Sequence, residues 1–325
     1  MVGRSPRSFV EDIHRQYEPI AAEKYSFGPV TGTVLFCCQN TRVAVDGLFH
    51  HLRTSSKAHF HLSLMCRTCR PRFDTEVSWD WTTMGRDREV GVAWVAPEWD
   101  SLIATDSQRS TMALVSRGLS SEDFSRREVM RLLLHHVLDY HKTIGIHGAT
   151  VGRDTSGILL TNRGGSGKST LVLEALRRGY STTGDDFLLI NASPAGQSPS
   201  PAYSLFSNAK IDPASSAARD LTVSTRLGEI KGLVDIKRHF PDSLRPSHRL
   251  TALVVPQVGP MTSLVPTTSE RFITAILPSS IRLTGKTMAL IQAIEDLAKK
   301  IPSYELTVGP RPEEGIDALE ELILR

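Results

Sequence analysis

One short stretch constrains this chain more than any other. Between the apolar run Gly157-Ile158-Leu159-Leu160-Thr161 and a helical stretch over 168–178 lies Asn162-Arg163-Gly164-Gly165-Ser166-Gly167-Lys168-Ser169-Thr170. The run before it reads as a buried strand, and Gly179 closes the helix after it. The loop nearly fits the phosphate-binding pattern G-x-x-x-x-G-K-[ST]. Gly165 and Gly167 let the backbone wrap so that successive N–H groups face phosphate oxygens. The start of the helix adds a partial positive charge. In such a loop Lys168 reaches the β- and γ-phosphates and the Ser169 hydroxyl ligates magnesium. The expected phosphate-binding set is therefore Arg163, Gly164, Gly165, Ser166, Gly167, Lys168, Ser169 and Thr170. Asn162 stands where the pattern has its first glycine, and is expected there because Asn tolerates positive φ. The alternative is a glycine-rich strand-to-helix turn that holds no nucleotide.

The next constraint is Gly184-Asp185-Asp186, directly before the apolar run Phe187-Leu188-Leu189-Ile190. Paired carboxylates at a strand end beside a phosphate loop suit magnesium coordination and general-base work, although a solvated Asp pair in a turn has the same sequence. In most P-loop ATPases the acid follows its hydrophobic strand. Here it precedes one, only 18 positions past Lys168, which fits the adenylate-kinase, GTPase and transporter-ATPase layouts badly.

Strand and helix signals alternate through the rest of this half, with strands at 250–255 and 304–308 and helices at 287–300 and 313–324. That alternation predicts an α/β domain whose sheet is covered on both faces. The Ser120-Ser121-Glu122-Asp123 cluster reads as a helix start before apolar residues at helical spacing over 126–141. It sets the expected division: a β-rich domain over 1–122 and a catalytic domain over 123–325. In the first domain, Val30-Thr31-Gly32-Thr33-Val34-Leu35-Phe36 and Arg42-Val43-Ala44-Val45 flank Gln39-Asn40 as a candidate hairpin. Residues 58–65 alternate in polarity like a half-buried strand. The cysteines, Cys37, Cys38, Cys66 and Cys69, include one CxxC near His59 and His61. It reads either as a zinc site or as reduced thiols beside strands, and no second CxxC is present.

From Ile146-His147-Gly148-Ala149 through the glycine loop to Arg178-Gly179-Tyr180 and Gly184-Asp185-Asp186, the sequence resembles the core of the HPr kinase/phosphorylase family. In that family a His-Gly precedes the P-loop strand and an Asp-Asp follows an Arg-Gly turn. His147 lies 21 positions before Lys168 here. The resemblance implies an α/β P-loop kinase core of the HPr kinase/PEP carboxykinase type behind a smaller β-rich domain. It implies Asp186 as catalytic base, Lys168 and His147 as its companions at the phosphates, and Ser169 as magnesium ligand. Ser204-Leu205-Phe206-Ser207-Asn208-Ala209-Lys210, Leu277-Pro278-Ser279-Ser280 and residues 301–309 resemble a serine-kinase-like branch related to lasso-peptide tailoring kinases. That branch implies a serine of a peptide or protein as acceptor, including a ribosomal natural-product precursor. The magnesium-binding glutamate of the bifunctional enzymes has no counterpart near Ser207-Asn208-Ala209-Lys210, so metal binding shifts toward Ser169 and Asp185. Lys210 and Arg249 are candidate phosphate or acceptor ligands, with Arg245 and His248 beside Arg249.

Composition excludes other classes. The 325 residues carry 38 Lys+Arg against 35 Asp+Glu, a balance that argues against a polybasic nucleic-acid binder and against disorder. No apolar run reaches the ~20 residues of a membrane span, and the basic start leads into Glu11, Asp12 and Arg15 without an apolar core. The expectation is a cytoplasmic enzyme that takes ATP and Mg2+, with no nucleic-acid or membrane partner and a possible homo-oligomeric state. Its rivals are a small-molecule alcohol kinase and a nucleotide-binding regulator with little turnover.

Overall fold

The computed structural model describes residues 18–66, 92–96, 101–106, 111–116, 141–191, 201–225, 230–284 and 288–324, with helical positions at 130, 131, 134 and 138. The chain divides into two compact units, Met1–His141 and Lys142–Arg325. The boundary expected at 122/123 lies inside the first unit, which also takes the helical positions Met130, Leu134 and Leu138.

The first unit is built on strands β1 (Ala21–Phe27), β2 (Val30–Phe36), β3 (Phe60–Cys66), β4 (Val92–Ala96), β5 (Ser101–Asp106) and β6 (Thr111–Ser116). They form one sheet in the order β1-β2-β3-β6-β5-β4. The hairpin expected around Gln39-Asn40 is instead helix α1 (Gln39–Phe49). Thr41, Ala44, Val45, Leu48 and Phe49 recur at helical spacing and are all buried. Four consecutive residues, Arg42 to Val45, look like a strand; the eleven together do not. The helix carries the chain from β2 to β3, which pair in parallel. Phe49 seals it to the sheet, with its ring 6.0 Å from Tyr25 and 5.3 Å from Phe27, both edge-on. A β-rich domain is therefore better described as a mixed sheet with a packed crossover helix. In β3, Phe60, Leu62 and Leu64 are buried and His61 is exposed, as the alternation predicts, but Ser63 and Met65 are buried too. The far half of that strand is thus covered on both faces.

The second unit contains β7 (Thr143–Ile146), β8 (Ala149–Arg153), β9 (Ser156–Leu160), β10 (Leu188–Asn191), β11 (Pro201–Tyr203), β12 (Asn208–Ile211), β13 (Gly232–Asp235), β14 (Ser247–Val258), β15 (Ser263–Thr267) and β16 (Ser303–Val308). Its longer helices are α2 (Lys168–Arg177), α3 (Ser269–Thr284), α4 (Met288–Lys300) and α5 (Pro312–Ile323). The long strand β14 is the spine: it runs parallel to β9 and β16 and antiparallel to β11. Successive residues of the apolar runs go to opposite layers. Ile158, Leu160 and Val254 pack under α2 and α5, while Leu159, Leu253 and Val255 pack under α3 and α4. Two covered faces are why these strands read as unbroken apolar runs. The unit is a mixed α/β structure with helices on both sides of its main sheet. No described helix is long and apolar enough to cross a membrane.

Candidate functional site

The glycine loop leaves the C-terminal end of β9. Thr161 holds the exit, its Oγ1 donating to the His147 carbonyl at 2.8 Å. Asn162 does not adopt positive φ, contrary to expectation. Its Nδ2 donates to the Pro256 carbonyl of β14 at 2.8 Å, and its Oδ1 accepts from the Arg163 N–H at 2.8 Å. The side chain thus ties the loop to the neighbouring strand, which a glycine cannot do. Positive φ is taken by Gly165 (+82°) and Gly167 (+92°), and Gly167 caps α2 in the left-handed conformation. No side chain caps that first turn, so its N–H groups face outward with the positive end of the helix. A Cβ at Gly164 or Gly165 would meet nothing within 4 Å, so the rim is open. Lys168 is buried below it, its Nζ donating to the carbonyls of Asn162 (2.7 Å) and Arg163 (3.1 Å) and to Ser166 Oγ (3.4 Å). Burial pushes its pKa down to about 8, against the pull of Asp185 and Asp186 and with a further push from Lys231.

Strand register brings the acids to this loop. Leu188 of β10 pairs with Ile146 of β7, so the residue after β7 faces the residues before β10. His147 Nε2 stands 3.3 Å from Asp186 Oδ1. The His147 N–H is held by Ser280 Oγ of α3 at 3.1 Å. Asp186 has φ +73°, a conformation that costs an Asp on the order of 1 kcal/mol and gathers at functional sites. Asp185 points the other way. It is fully buried, and its Oδ2 accepts from Ser169 Oγ at 2.8 Å and from the Lys210 N–H at 3.0 Å. Adjacent carboxylates therefore face different partners: one sits against the loop hydroxyl, the other, 37% exposed, against a histidine.

Lys168, Ser169, Asp185, Asp186 and His147 thus converge. Lys210 arrives through its backbone N–H on β12. Arg249 does not arrive. Its register partner is Ser156, at the opposite end of β9 from the loop, and its Nη2 donates to Ser156 Oγ at 3.1 Å. His248, named beside Arg249 as a candidate, is fully buried. Sequence reasoning passed over Thr150, Thr161 and Ser280. Their only signal is a hydroxyl inside or beside an apolar stretch. For the zinc reading, Cys69 lies outside the described residues. Cys37 Sγ accepts from the Cys66 N–H at 3.0 Å, and burial first of all raises its pKa to about 11, which keeps it a thiol.

No family model matches the chain, and no curated protein matches it. Among solved structures it is similar to the Hpr(Ser) kinase/phosphatase from Coxiella burnetii, at 14% identity and a TM-score of 0.31, over 55% of this chain and 88% of that one.

Proposed function

We propose that the unit Lys142–Arg325 is an ATP- and Mg2+-dependent kinase that transfers the γ-phosphate to a hydroxyl group, with a serine of a peptide or protein as the acceptor class. The observation that carries this reading is the acid pair at the loop: Asp185 on the Ser169 hydroxyl at 2.8 Å, and Asp186 beside it with His147 at 3.3 Å.

The residues fit the groups they would hold. Open glycine amides, an uncapped helix start and a buried lysine suit an anion. Ser169 Oγ and Asp185 Oδ2 form a hard-oxygen pair of the kind Mg2+ prefers. Bound there, Mg2+ supplies positive charge against the phosphate oxygens. The remaining work falls to the chain itself. The loop amides and Lys168 hold the phosphates in position and stabilise charge on the equatorial oxygens. Asp186 accepts the proton of the acceptor hydroxyl as that oxygen bonds to the γ-phosphorus and the bond to the bridging oxygen of the diphosphate breaks. His147 Nδ1 is buried with no hydrogen-bond partner among the described residues, so a ring proton on Nε2 would face Asp186 Oδ1 at 3.3 Å, where His147 orients the acid.

The test is incubation with γ-labelled ATP, Mg2+ and acceptor panels: peptides with and without serine, and small alcohols. Label in serine peptides supports the reading; label only in small alcohols moves the acceptor to that class; hydrolysis alone refutes the kinase. Asp186→Asn should cut transfer by about 10²–10⁴-fold and leave ATP affinity within a few-fold. Transfer by that variant at the parent rate refutes the base assignment.

A further inference from the structure

A buried polar chain through Thr150, His248 and Ser181 lies along the segment that leads into the acid pair and plays no part in the mechanism above. Residues 181–184 run antiparallel along the outer edge of β8. Gly152 and Ser181 exchange both backbone hydrogen bonds, at 2.8 and 2.7 Å. In a regular ladder the next bonded pair is Thr150 with Thr183. Instead the Thr150 N–H reaches one residue further, to the Gly184 carbonyl at 3.2 Å. The Thr183 N–H, displaced from the ladder, is taken by the Thr150 side chain, at 2.8 Å from Oγ1. This is a β-bulge whose extra residue is satisfied by a hydroxyl standing in for a backbone carbonyl. A one-residue slip reverses the faces to which later side chains point.

The hydroxyl is held from behind. Thr183 Oγ1 lies 2.9 Å from Thr150 Oγ1, and His248 Nδ1 lies 3.3 Å from it. His248 Nε2 is 2.9 Å from Ser181 Oγ, which donates to the Gly152 carbonyl at 3.0 Å. Donors and acceptors match along the chain only for one neutral tautomer: Nε2–H donates to Ser181, and Thr150 donates to Nδ1. Gly157 leaves the room, since a Cβ there would stand 2.8 Å from His248 Nδ1. Thr182 closes the inner turn, its Oγ1 bonded to both the N–H and the carbonyl of Gly184 at 3.0 Å.

We infer that Thr150 is a positioning residue for the acid pair. Its hydroxyl, braced by His248, specifies the bulge that turns Asp185 toward Ser169 and Asp186 toward His147. The catalytic consequence rests on the kinase reading; the structural one does not.

Two substitutions in the full chain separate hydroxyl from shape. Thr150→Val keeps the volume and removes the oxygen; Thr150→Ser keeps the oxygen and removes a methyl. Amide hydrogen exchange at Thr183 and Gly184 reads the bulge directly. Phosphoryl transfer, the Mg2+ dependence of the rate and metal-free ATP affinity read the site. Thr150→Val should raise exchange at Thr183 at least tenfold, lower kcat at least tenfold and raise the Mg2+ requirement, with metal-free ATP affinity within twofold. Thr150→Ser should stay near the parent in all four. Unchanged Thr183 exchange in Thr150→Val, or equal damage from Ser and Val, overturns the inference. If the parent transfers phosphate to nothing, the kinase reading falls, and exchange still decides the role of Thr150. Should Thr150→Val not fold, Ser181→Ala loosens the same chain from its far end. It should raise Thr183 exchange several-fold, and an unchanged rate refutes the inference.

Discussion

Raising the pH from 7 to 9 should weaken triphosphate binding about tenfold, through one buried amine. Burial holds the Lys168 ammonium at a pKa of about 8, because the carbonyls and hydroxyl around Nζ replace water incompletely. A polyphosphate on the loop restores the missing negative charge and raises that pKa, so binding takes up a proton wherever Lys168 was neutral. If the bound pKa lies well above 9, the apparent Kd scales with one plus the ratio of neutral to charged amine. That factor is about 1.1 at pH 7 and about 11 at pH 9, a loss of about 1.4 kcal/mol. Folding of the free chain moves oppositely. The unfolded lysine titrates near its ordinary 10.5 and the folded one near 8, so between those values only the unfolded chain carries the proton. Stability therefore rises with pH across that window, by about 3 kcal/mol in all. Calorimetric titration with ATP in buffers of different ionisation heats measures both affinity and proton uptake, which should approach one at pH 9. Urea unfolding of the free protein at pH 7.5 and 10 gives the second arm. Lys168→Met should bind weakly and lose both pH dependences. Affinity flat from pH 7 to 9, or no proton uptake at pH 9, would refute the assignment of this amine to the phosphates.

Other expectations follow from single contacts. Burial, and then Arg245, push the His248 pKa down to about 4, so the fold keeps it neutral while the unfolded chain protonates near 6.5. Its contribution is present above 6.5 and lost as pH falls toward 4, about 3 kcal/mol by urea unfolding, and His248→Gln should remove that slope. Gly157→Ala forces a methyl to within 2.8 Å of the His248 ring and should cost about 1–3 kcal/mol, read by thermal unfolding. Asn162→Ala deletes the bond to the Pro256 carbonyl; a loss of about 1 kcal/mol with several-fold weaker ATP binding is expected, and an unchanged Kd would show that the tether is idle. In the first unit, Phe49→Ala should cost about 3–5 kcal/mol by denaturant unfolding, since its buried ring packs edge-on against Tyr25 and Phe27.

The parts of this protein that its sequence determined are those in which neighbours along the chain do the physical work. Gly165 and Gly167 must take positive φ, a helix must start at Lys168, and its first-turn N–H groups must look outward; each follows from residues a few positions apart. The alternation of strands and helices in the second unit, with apolar runs buried on both faces, was legible for the same reason. Short windows failed where only length tells periods apart, as in α1, where Arg42 to Val45 mimics a strand. Pro278 similarly hid α3, which carries that proline within it. Tertiary structure alone decided the rest, because register and burial depend on partners far along the chain. The pairing of Arg249 with Ser156 sends that arginine to the wrong end of β9. Pro256, 94 positions away, gives Asn162 its task. Asp185 and Asp186 are adjacent and chemically alike in the sequence. Only a bulge against β8, satisfied by the Thr150 hydroxyl, turns one to Ser169 and the other to His147.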